Sequence, residues 1–121
     1  MEKKKILYVD DEESLRMLIQ NQLTLEGFEV ETADDGDTAL EMLEKDSYDL
    51  ILLDIRMPRM NGFEVLKILK DRNNRIRVIM LTAVTDLSSA IEAVKLGAND
   101  YLTKPFSIEE LLSCINRALA R

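Results

Sequence analysis

The chain contains no histidine, no tryptophan and only one cysteine, Cys114, among its 121 residues. A single cysteine excludes an internal disulfide and a cysteine-rich zinc site, and its position in a helical pattern predicts a packing role. No apolar run reaches membrane-spanning length, and the apolar stretch after the basic start of the chain is too short for a signal-peptide core. We therefore expect a cytoplasmic protein without a membrane partner.

The charge balance excludes a further class of partner. The formal net charge is −7, and apart from the three lysines at residues 3–5 the basic residues are scattered along the sequence. Such a surface would repel a phosphate backbone, so we expect no direct contact with nucleic acid. The proportions of hydrophobic and charged residues, 46% and 32%, are ordinary for a globular protein. Residues 1–121 are therefore predicted to fold as one domain around one core.

Extended and helical patterns alternate along the whole chain. Two apolar runs, Leu50 to Asp54 and Val78 to Leu81, lack alternation and are typical of parallel strands covered by helices on both faces. The alternating stretch around Val30 predicts an edge strand, and Tyr101-Leu102 predicts a short last strand. Because parallel neighbours need crossover connections, the pattern predicts an α/β fold: a doubly wound five-stranded parallel sheet flanked by five helices.

The last two predicted helices carry local signals. Ser107, followed three residues later by Glu110, matches a capping box and predicts the start of the fifth helix. The fourth helix has an apolar stripe that we expect to face the core. Its members are Leu87, Ala90, Ile91, Val94 and Ala98.

Five polar residues fall at the carboxyl ends of the predicted strands: Asp10, Asp11, Asp54, Thr82 and Lys104. In a doubly wound sheet, ligands bind at this edge, near the point where the strand order reverses. Two like charges about 4 Å apart repel by roughly 4 kcal/mol at an effective dielectric near 20. Three gathered carboxylates must therefore take up a proton, a cation or a divalent metal ion, which predicts a functional site here.

Each of these residues also has a simpler interpretation. Asp10 and Asp11 would suit the N-terminus of a helix, and Thr82 would serve as a helix cap. Lys104 would be an ordinary surface lysine. Tyr101, nearby in sequence, would belong to the core with its hydroxyl in water. Taken together, these interpretations require several independent coincidences at one edge of the sheet, so we favour the functional one.

Several motifs in this order and spacing resemble the receiver domain of two-component response regulators, of the chemotaxis-regulator type. The resemblance extends over nearly the whole chain and implies a flavodoxin-like sheet with strand order 2-1-3-4-5 and a cis bond before Pro105. The matching stretches are Val9-Asp10-Asp11-Glu12, Leu53-Asp54-Ile55-Arg56-Met57-Pro58, Asn61-Gly62, Leu81-Thr82-Ala83 and Tyr101-Leu102-Thr103-Lys104-Pro105-Phe106.

The resemblance implies that Asp54 is the nucleophile that accepts a phosphoryl group. It implies Mg²⁺, with Mn²⁺ as an alternative, held directly by Asp11, Asp54 and the backbone carbonyl of Arg56, and by Asp10 through a water molecule. By the same resemblance, the chain catalyses its own phosphorylation and dephosphorylation and is not an enzyme acting on a separate substrate.

The resemblance also assigns the phosphate contacts and the switch. Lys104, the Thr82 hydroxyl and the Ala83 amide would bind phosphoryl oxygens. Thr82 and Tyr101 would switch position and change the surface of the fourth helix, fifth strand and fifth helix. Arg56 and Val84 would tune the lifetime of the phosphorylated form, for which we expect slow loss of the phosphoryl group. The simpler interpretation of Arg56 is a surface charge paired with a neighbouring acid.

Because these 121 residues include no histidine, a phosphohistidine donor cannot lie among them, and the resemblance implies that it lies on a separate protein. The implied partners are a sensor histidine kinase or phosphotransfer protein and a downstream output domain or target. A phosphorylation-dependent homodimer through the last two helices is a further possibility. It would involve charged residues that are otherwise expected to be solvated: Lys95, Asp100, Glu109, Glu110 and Arg117.

Other functions compete with this interpretation. A haloacid-dehalogenase-type phosphatase needs a second acid two residues after its nucleophile, where Arg56 stands. A flavodoxin-like redox module must bind phosphate in its first loop, which the acids at residues 10–13 would repel. The more serious alternative is an unphosphorylated pseudo-receiver that acts only in protein interaction.

Overall fold

The computed structural model describes residues 3–120, apart from the side chain of Val84, and contains a five-stranded sheet and five α-helices. The strands are β1 (Lys5–Val9), β2 (Glu29–Ala33), β3 (Leu50–Asp54), β4 (Arg77–Ala83) and β5 (Asp100–Lys104). The helices are α1 (Glu13–Leu25), α2 (Gly36–Lys45), α3 (Gly62–Asp71), α4 (Leu87–Lys95) and α5 (Ile108–Ala120). A short 3-10 turn (Val84–Asp86) joins β4 to α4.

All strand pairs are parallel, and their order is β2-β1-β3-β4-β5, which confirms the predicted topology. β3 lies at the centre between β1 and β4, with Val9 of β1 beside Leu53 of β3. β4 and β5 are longer than predicted, because the ladder continues through the pairs Thr82–Thr103 and Ala83–Lys104. Lys104 is therefore the last residue of a strand, where it was expected to follow one. Thr82 is the last residue but one of its strand.

Helices cover both faces of the sheet, and alternate residues of each inner strand point to opposite faces and pack against them. On one face, Ile6 and Tyr8 of β1 share a core with residues of α1 and α5. On the other, Leu7 and Val9 share a core with residues of α2, α3 and α4. All five residues of β3 are buried, as expected for a strand covered on both sides.

The fourth helix packs differently from the prediction. Leu87, Ile91 and Val94 are 37%, 44% and 38% exposed, while Ala90 and Ala93 are buried against the sheet. The predicted stripe was therefore wrong for its three larger members. The methyl side chains of alanine let the helix backbone lie close to the sheet, so the neighbouring branched side chains are left at the solvent boundary.

Other local predictions are confirmed. Ser107 and Glu110 form reciprocal capping contacts, each backbone N–H donating to the partner's side chain at 3.1 Å. The Lys104–Pro105 bond is cis. Cys114 lies on the inner face of α5 and is buried in the core. Within residues 3–120, every helix is too short or too polar to cross a membrane.

Candidate functional site

Three aspartates and one lysine meet at the carboxyl ends of the central strands. One side-chain oxygen from each of Asp10, Asp11 and Asp54 lies within 4.8 Å of the others. Lys104 Nζ is 2.8 Å from Asp10 Oδ2 and 3.2 Å from Asp54 Oδ2. These residues come from the ends of β1, β3 and β5, so the topology brings them together from positions up to 94 residues apart. The predicted convergence of these residues is present.

Asp10 is held by several donors at once. Its side chain is 1% exposed, yet its oxygens accept hydrogen bonds from the Tyr8 hydroxyl at 2.9 Å and the Glu12 amide at 3.0 Å, besides Lys104. Arg16 Nη1 donates to the backbone carbonyl of Asp10 at 2.8 Å. The position of Asp10 is therefore fixed, and most of its acceptor capacity is used within the chain.

Neither Asp10 nor Asp11 acts as the helix cap that the simpler interpretation required. The N-cap of α1 is Glu12, and its side chain makes no capping hydrogen bond within the described residues. The Asp10 carboxylate instead closes a turn onto the Glu12 amide. Asp11 is exposed at the open side of the cluster.

Tyr8 was not predicted to belong to the site. It is fully buried, and its position two residues before Asp10 places its hydroxyl on the same side of the strand as that carboxylate. Burial, and then the negative charge of Asp10, raise the pKa of Tyr8 well above its usual range. The hydroxyl therefore stays protonated and acts as a permanent donor to Asp10.

Asp54 is the carboxylate of the cluster whose pKa is raised by its surroundings. Its carboxylate is mostly buried, at 7% exposure for the residue. Burial, with smaller contributions from the charges of Asp10 and Asp11, raises its pKa from 3.8 to about 6 against the opposing effect of Lys104. Burial also lowers the pKa of Lys104, but its contacts with Asp10 and Asp54 outweigh that effect and raise the pKa overall. Lys104 therefore remains a cation, and it supplies one positive charge against three carboxylates.

This donor set fits a hard divalent cation. Carboxylate oxygens are the ligands preferred by Mg²⁺, and the surplus negative charge gives such an ion a favourable position. Asp11 is exposed and Asp54 lies at the strand end, so both can offer oxygens to an ion at the open edge. The heavily bonded Asp10 suits an indirect contact through water.

Gly62 permits the close approach of α3 to the end of β3. A Cβ at this position would lie 2.5 Å from the backbone oxygen of Asp54 and 3.0 Å from the Cα of Ile55. The Gly62 amide donates to the Ile55 carbonyl at 2.9 Å. The start of α3 is further fixed by a reciprocal capping box between Asn61 and Glu64. The backbone beneath Asp54 is therefore held by a contact that only glycine allows.

Thr82 and Tyr101, the two predicted switch residues, have partners outside the acid cluster. Thr82 is 1% exposed, and its hydroxyl donates to the carbonyl of the following residue, Ala83, at 3.1 Å. Tyr101 is half-buried and packs against the core on the α4 side. Because Tyr101 is paired with Met80 and Thr103 with Thr82, the Thr82 and Tyr101 side chains share one face of the sheet.

Arg56 forms an ion pair with Asp86 across the mouth of the site. Its Nη2 donates to Asp86 Oδ1 at 2.7 Å, and its Nε donates to the other carboxylate oxygen. The hydrogen bond from Arg56 lowers the pKa of Asp86. The simpler interpretation of Arg56, pairing with a neighbouring acid, is therefore the arrangement found here. The side chain of Val84 lies outside the part of the chain that the structure describes.

An open cavity of about 540 Å³ adjoins the aspartates. Its lining includes Asp11, the β3–α3 loop and the start of α4. The residues that these segments contribute to the lining include Arg56, Met57, Pro58, Asn61 and Asp86. Asp54 does not line this cavity, but its chain neighbours Ile55 and Arg56 do.

Comparison with known proteins gives one consistent family. Residues 6–116 match the family model for the response regulator receiver domain. The chain is 41% identical to the regulatory protein AtoC of Escherichia coli strain K12 over 115 residues, which are 95% of this chain and 25% of AtoC. It is 42% identical to the alkaline phosphatase synthesis transcriptional regulatory protein PhoP of Bacillus subtilis over 118 residues, 98% of this chain and 49% of PhoP. The chain thus spans about half or less of these curated relatives.

Solved structures agree with the sequence matches. The receiver domain of the Francisella response regulator 1452 superposes with a TM-score of 0.91 and 37% identity, covering 98% of both chains. The chemotaxis protein CheY4 of Vibrio cholerae gives a TM-score of 0.89 and 37% identity, covering 97% of this chain and 99% of that one.

Proposed function

Because this chain belongs to the response regulator receiver domain family of two-component systems, we propose that Asp54 is its phosphoacceptor. The donor would be a phosphohistidine on a sensor kinase or phosphotransfer protein, since this chain has no histidine. An Asp54 oxygen attacks phosphorus as the phosphorus–nitrogen bond breaks, and the leaving imidazole takes the electron pair and a proton. The products are an aspartyl phosphate and a neutral histidine on the donor.

The observation that best supports this proposal is the excess of negative charge around the buried Asp54 at the end of β3. Lys104 supplies one positive charge beside the three carboxylates of Asp10, Asp11 and Asp54. Burial, with smaller contributions from Asp10 and Asp11, raises the pKa of Asp54 although Lys104 lowers it. Asp11, Asp54 and the Arg56 backbone carbonyl would hold Mg²⁺, or Mn²⁺, with Asp10 acting through water. When bound, such an ion neutralises the surplus charge and reduces the repulsion of an incoming phosphoryl group.

The position of Lys104 supports a role in binding the transferred group. Its ammonium lies 3.2 Å from Asp54 Oδ2, so a phosphoryl group on that carboxylate would lie within reach of the same cation. The Thr82 hydroxyl and the Ala83 amide would supply further donors at the end of β4. For Thr82 this requires exchange of its present bond to the Ala83 carbonyl. Asp54, Lys104 and Thr82 are therefore the proposed reacting and phosphate-binding side chains.

The same exchange supplies a proposed output. Movement of Thr82 toward the phosphoryl group would open space on the sheet face that it shares with Tyr101. Tyr101 would turn inward, and the surface formed by α4, β5 and α5 would change. Coupling of this kind is typically worth about 1 to 3 kcal/mol, enough to shift a population between two packed states.

That surface would act on an output domain or a target protein. We propose that residues 1–121 form one receiver unit, that it works in the cytoplasm, and that it does not itself bind nucleic acid.

A phosphorylation-dependent homodimer through α4 and α5 would have to compete with existing contacts. Arg117 Nη2 is 3.6 Å from Asp100 Oδ2, and Glu110 is engaged in the cap of α5.

We further propose that the phosphoryl group is lost slowly. Arg56 and Val84 occupy the two tuning positions, and neither offers a side chain that would help water attack the phosphorus. In this proposal the chain catalyses both the phosphorylation of Asp54 and the later loss of the phosphoryl group. A radiolabel-decay assay that gave a half-life of seconds would contradict slow loss.

The competing function is a pseudo-receiver that is never phosphorylated. Incubation of the purified protein with acetyl phosphate and Mg²⁺ separates the two, because intact-mass spectrometry detects one added phosphoryl group. We expect the addition in the wild-type protein and in Asp34→Asn, an exposed control, and its absence in Asp54→Asn. An unmodified wild-type protein with an intact fold would favour the pseudo-receiver.

A further inference from the structure

Two arginines in the β3–α3 loop contact aspartates at the starts of two different helices. Arg56 pairs with Asp86, the N-cap of α4. Arg59 pairs with Asp35, the N-cap of α2. The loop that follows Asp54 is therefore tied to a helix on either side, by two ion pairs of the same chemical type.

The two N-cap aspartates differ in what else they bind. Asp35 Oδ1 accepts a hydrogen bond from the Thr38 amide at 2.8 Å, as an N-cap residue ordinarily does. Asp86 makes no side-chain capping bond within the described residues, and both of its carboxylate oxygens accept from Arg56. The first-turn amides of α4 are therefore a second set of donors that Asp86 could bind if Arg56 left.

Arg56 is the partner with freedom to move. Its side chain is 76% exposed, whereas that of Asp86 is 12% exposed. Arg56 is two residues from Asp54, and it lines the same open cavity as Asp11 and Asp86. A planar guanidinium binds carboxylate and phosphate in the same two-pronged geometry, so these two anions compete for one group.

We propose that Asp86 is a positioning residue that withholds Arg56 from Asp54 until Asp54 is modified. Arg56 then transfers from Asp86 to the phosphoryl oxygens, and Asp86 turns to the first-turn amides of α4. This inference rests on the proposed function, because it requires Asp54 to be the phosphoacceptor. It adds a direct link from the phosphoryl group to the start of α4, separate from Thr82 and Tyr101.

Arginine Nε–H resonances in the NMR spectrum test the transfer directly. Beryllofluoride with Mg²⁺ serves as the acyl-phosphate mimic, and Arg56→Gln and Arg59→Gln identify the two signals by their loss. We expect beryllofluoride to shift the Arg56 Nε–H signal and to leave the Arg59 signal in place. A shift of the backbone amides in the first turn of α4 should accompany the Arg56 change.

Affinities for beryllofluoride test the role of Asp86. Asp86→Asn should bind the mimic roughly two- to fivefold more tightly than the wild type, since exposed ion pairs cost that much to break. The matched control, Asp35→Asn, should bind like the wild type. In an Arg56→Gln background, Asp86→Asn should change nothing, which a purely structural role of Asp86 would not predict.

The outcomes separate the two proposals. If beryllofluoride leaves the wild-type spectrum unchanged, the phosphoacceptor proposal fails and this inference fails with it. If the mimic binds but the Arg56 signal does not move, and Asp86→Asn matches Asp35→Asn, only the transfer of Arg56 is refuted.

Discussion

Replacing Asp54 with asparagine should stabilise the metal-free protein at neutral pH. In the folded chain, burial beside two other carboxylates raises the pKa of Asp54 to about 6, so ionisation at pH 7 opposes folding. Asparagine has nearly the same shape and carries no charge. The variant thus removes a buried charge, and its repulsion by Asp10 and Asp11, while keeping the packing at the end of β3.

The magnitude follows from the pKa difference. The folded value of about 6 exceeds the ordinary value of 3.8, which corresponds to roughly 3 kcal/mol at about 1.4 kcal/mol for each tenfold change in acid dissociation. Solvent reaches the open site and screens its charges, so we expect about 1 to 2 kcal/mol at pH 7.

The sign of the pH dependence is opposite to that of an ordinary paired aspartate. Between pH 3.8 and about 6 the folded state of the wild type holds the Asp54 proton more tightly than the unfolded state. Stability from this group is therefore present below that window and is lost as the pH rises through it. The advantage of Asp54→Asn should accordingly grow with pH and disappear toward about pH 4.

Urea denaturation in the presence of a chelator measures this effect as the free energy of unfolding. Wild type, Asp54→Asn and the exposed control Asp34→Asn should be compared at several pH values across the window. Mg²⁺ should then stabilise the wild type and not Asp54→Asn. An asparagine variant that is less stable at pH 7, or whose advantage does not depend on pH, would refute the reasoning.

Three further predictions concern the groups around Asp54. Tyr8→Phe removes one donor to buried Asp10 and should lower the free energy of unfolding by about 1 to 2 kcal/mol, measured in urea, while phosphorylation persists. Gly62→Ala places a methyl group 2.5 Å from the Asp54 carbonyl and should cost about 1 to 3 kcal/mol in the same assay; an unchanged stability would show that α3 can shift. Lys104→Met should slow modification by acetyl phosphate by roughly 10² to 10³, followed by mass spectrometry; a wild-type rate would exclude Lys104 from the transfer.

The sequence was sufficient to predict the sheet and the acid cluster because both depend on strong local patterns. Runs such as Leu50 to Leu53 are apolar without alternation, which is typical of a strand covered on both faces. The aspartates that follow such strands must then meet at one edge. Tyr8 was also within reach of sequence reasoning, since residues two apart on a strand share a side.

The features that were missed depend on packing between distant segments. The face that α4 buries depends on how closely the helix approaches the sheet. The small residues Ala90 and Ala93 are buried there, whereas the larger Leu87 and Ile91 are exposed. β5 runs on to Lys104 because an edge strand tolerates polar residues along its ladder. The Arg56–Asp86 pair joins two segments 30 residues apart. No local sequence pattern in either segment predicts this contact.

The measurement that tests the central claim most directly is the location of the phosphoryl group. After phosphorylation by acetyl phosphate or a phosphohistidine donor, borohydride reduces an aspartyl phosphate to homoserine, and peptide mass spectrometry identifies the altered residue. We predict homoserine at position 54 and at no other aspartate, with none formed when Mg²⁺ is chelated. Reduction at another residue, or modification that survives Asp54→Asn, would contradict the account.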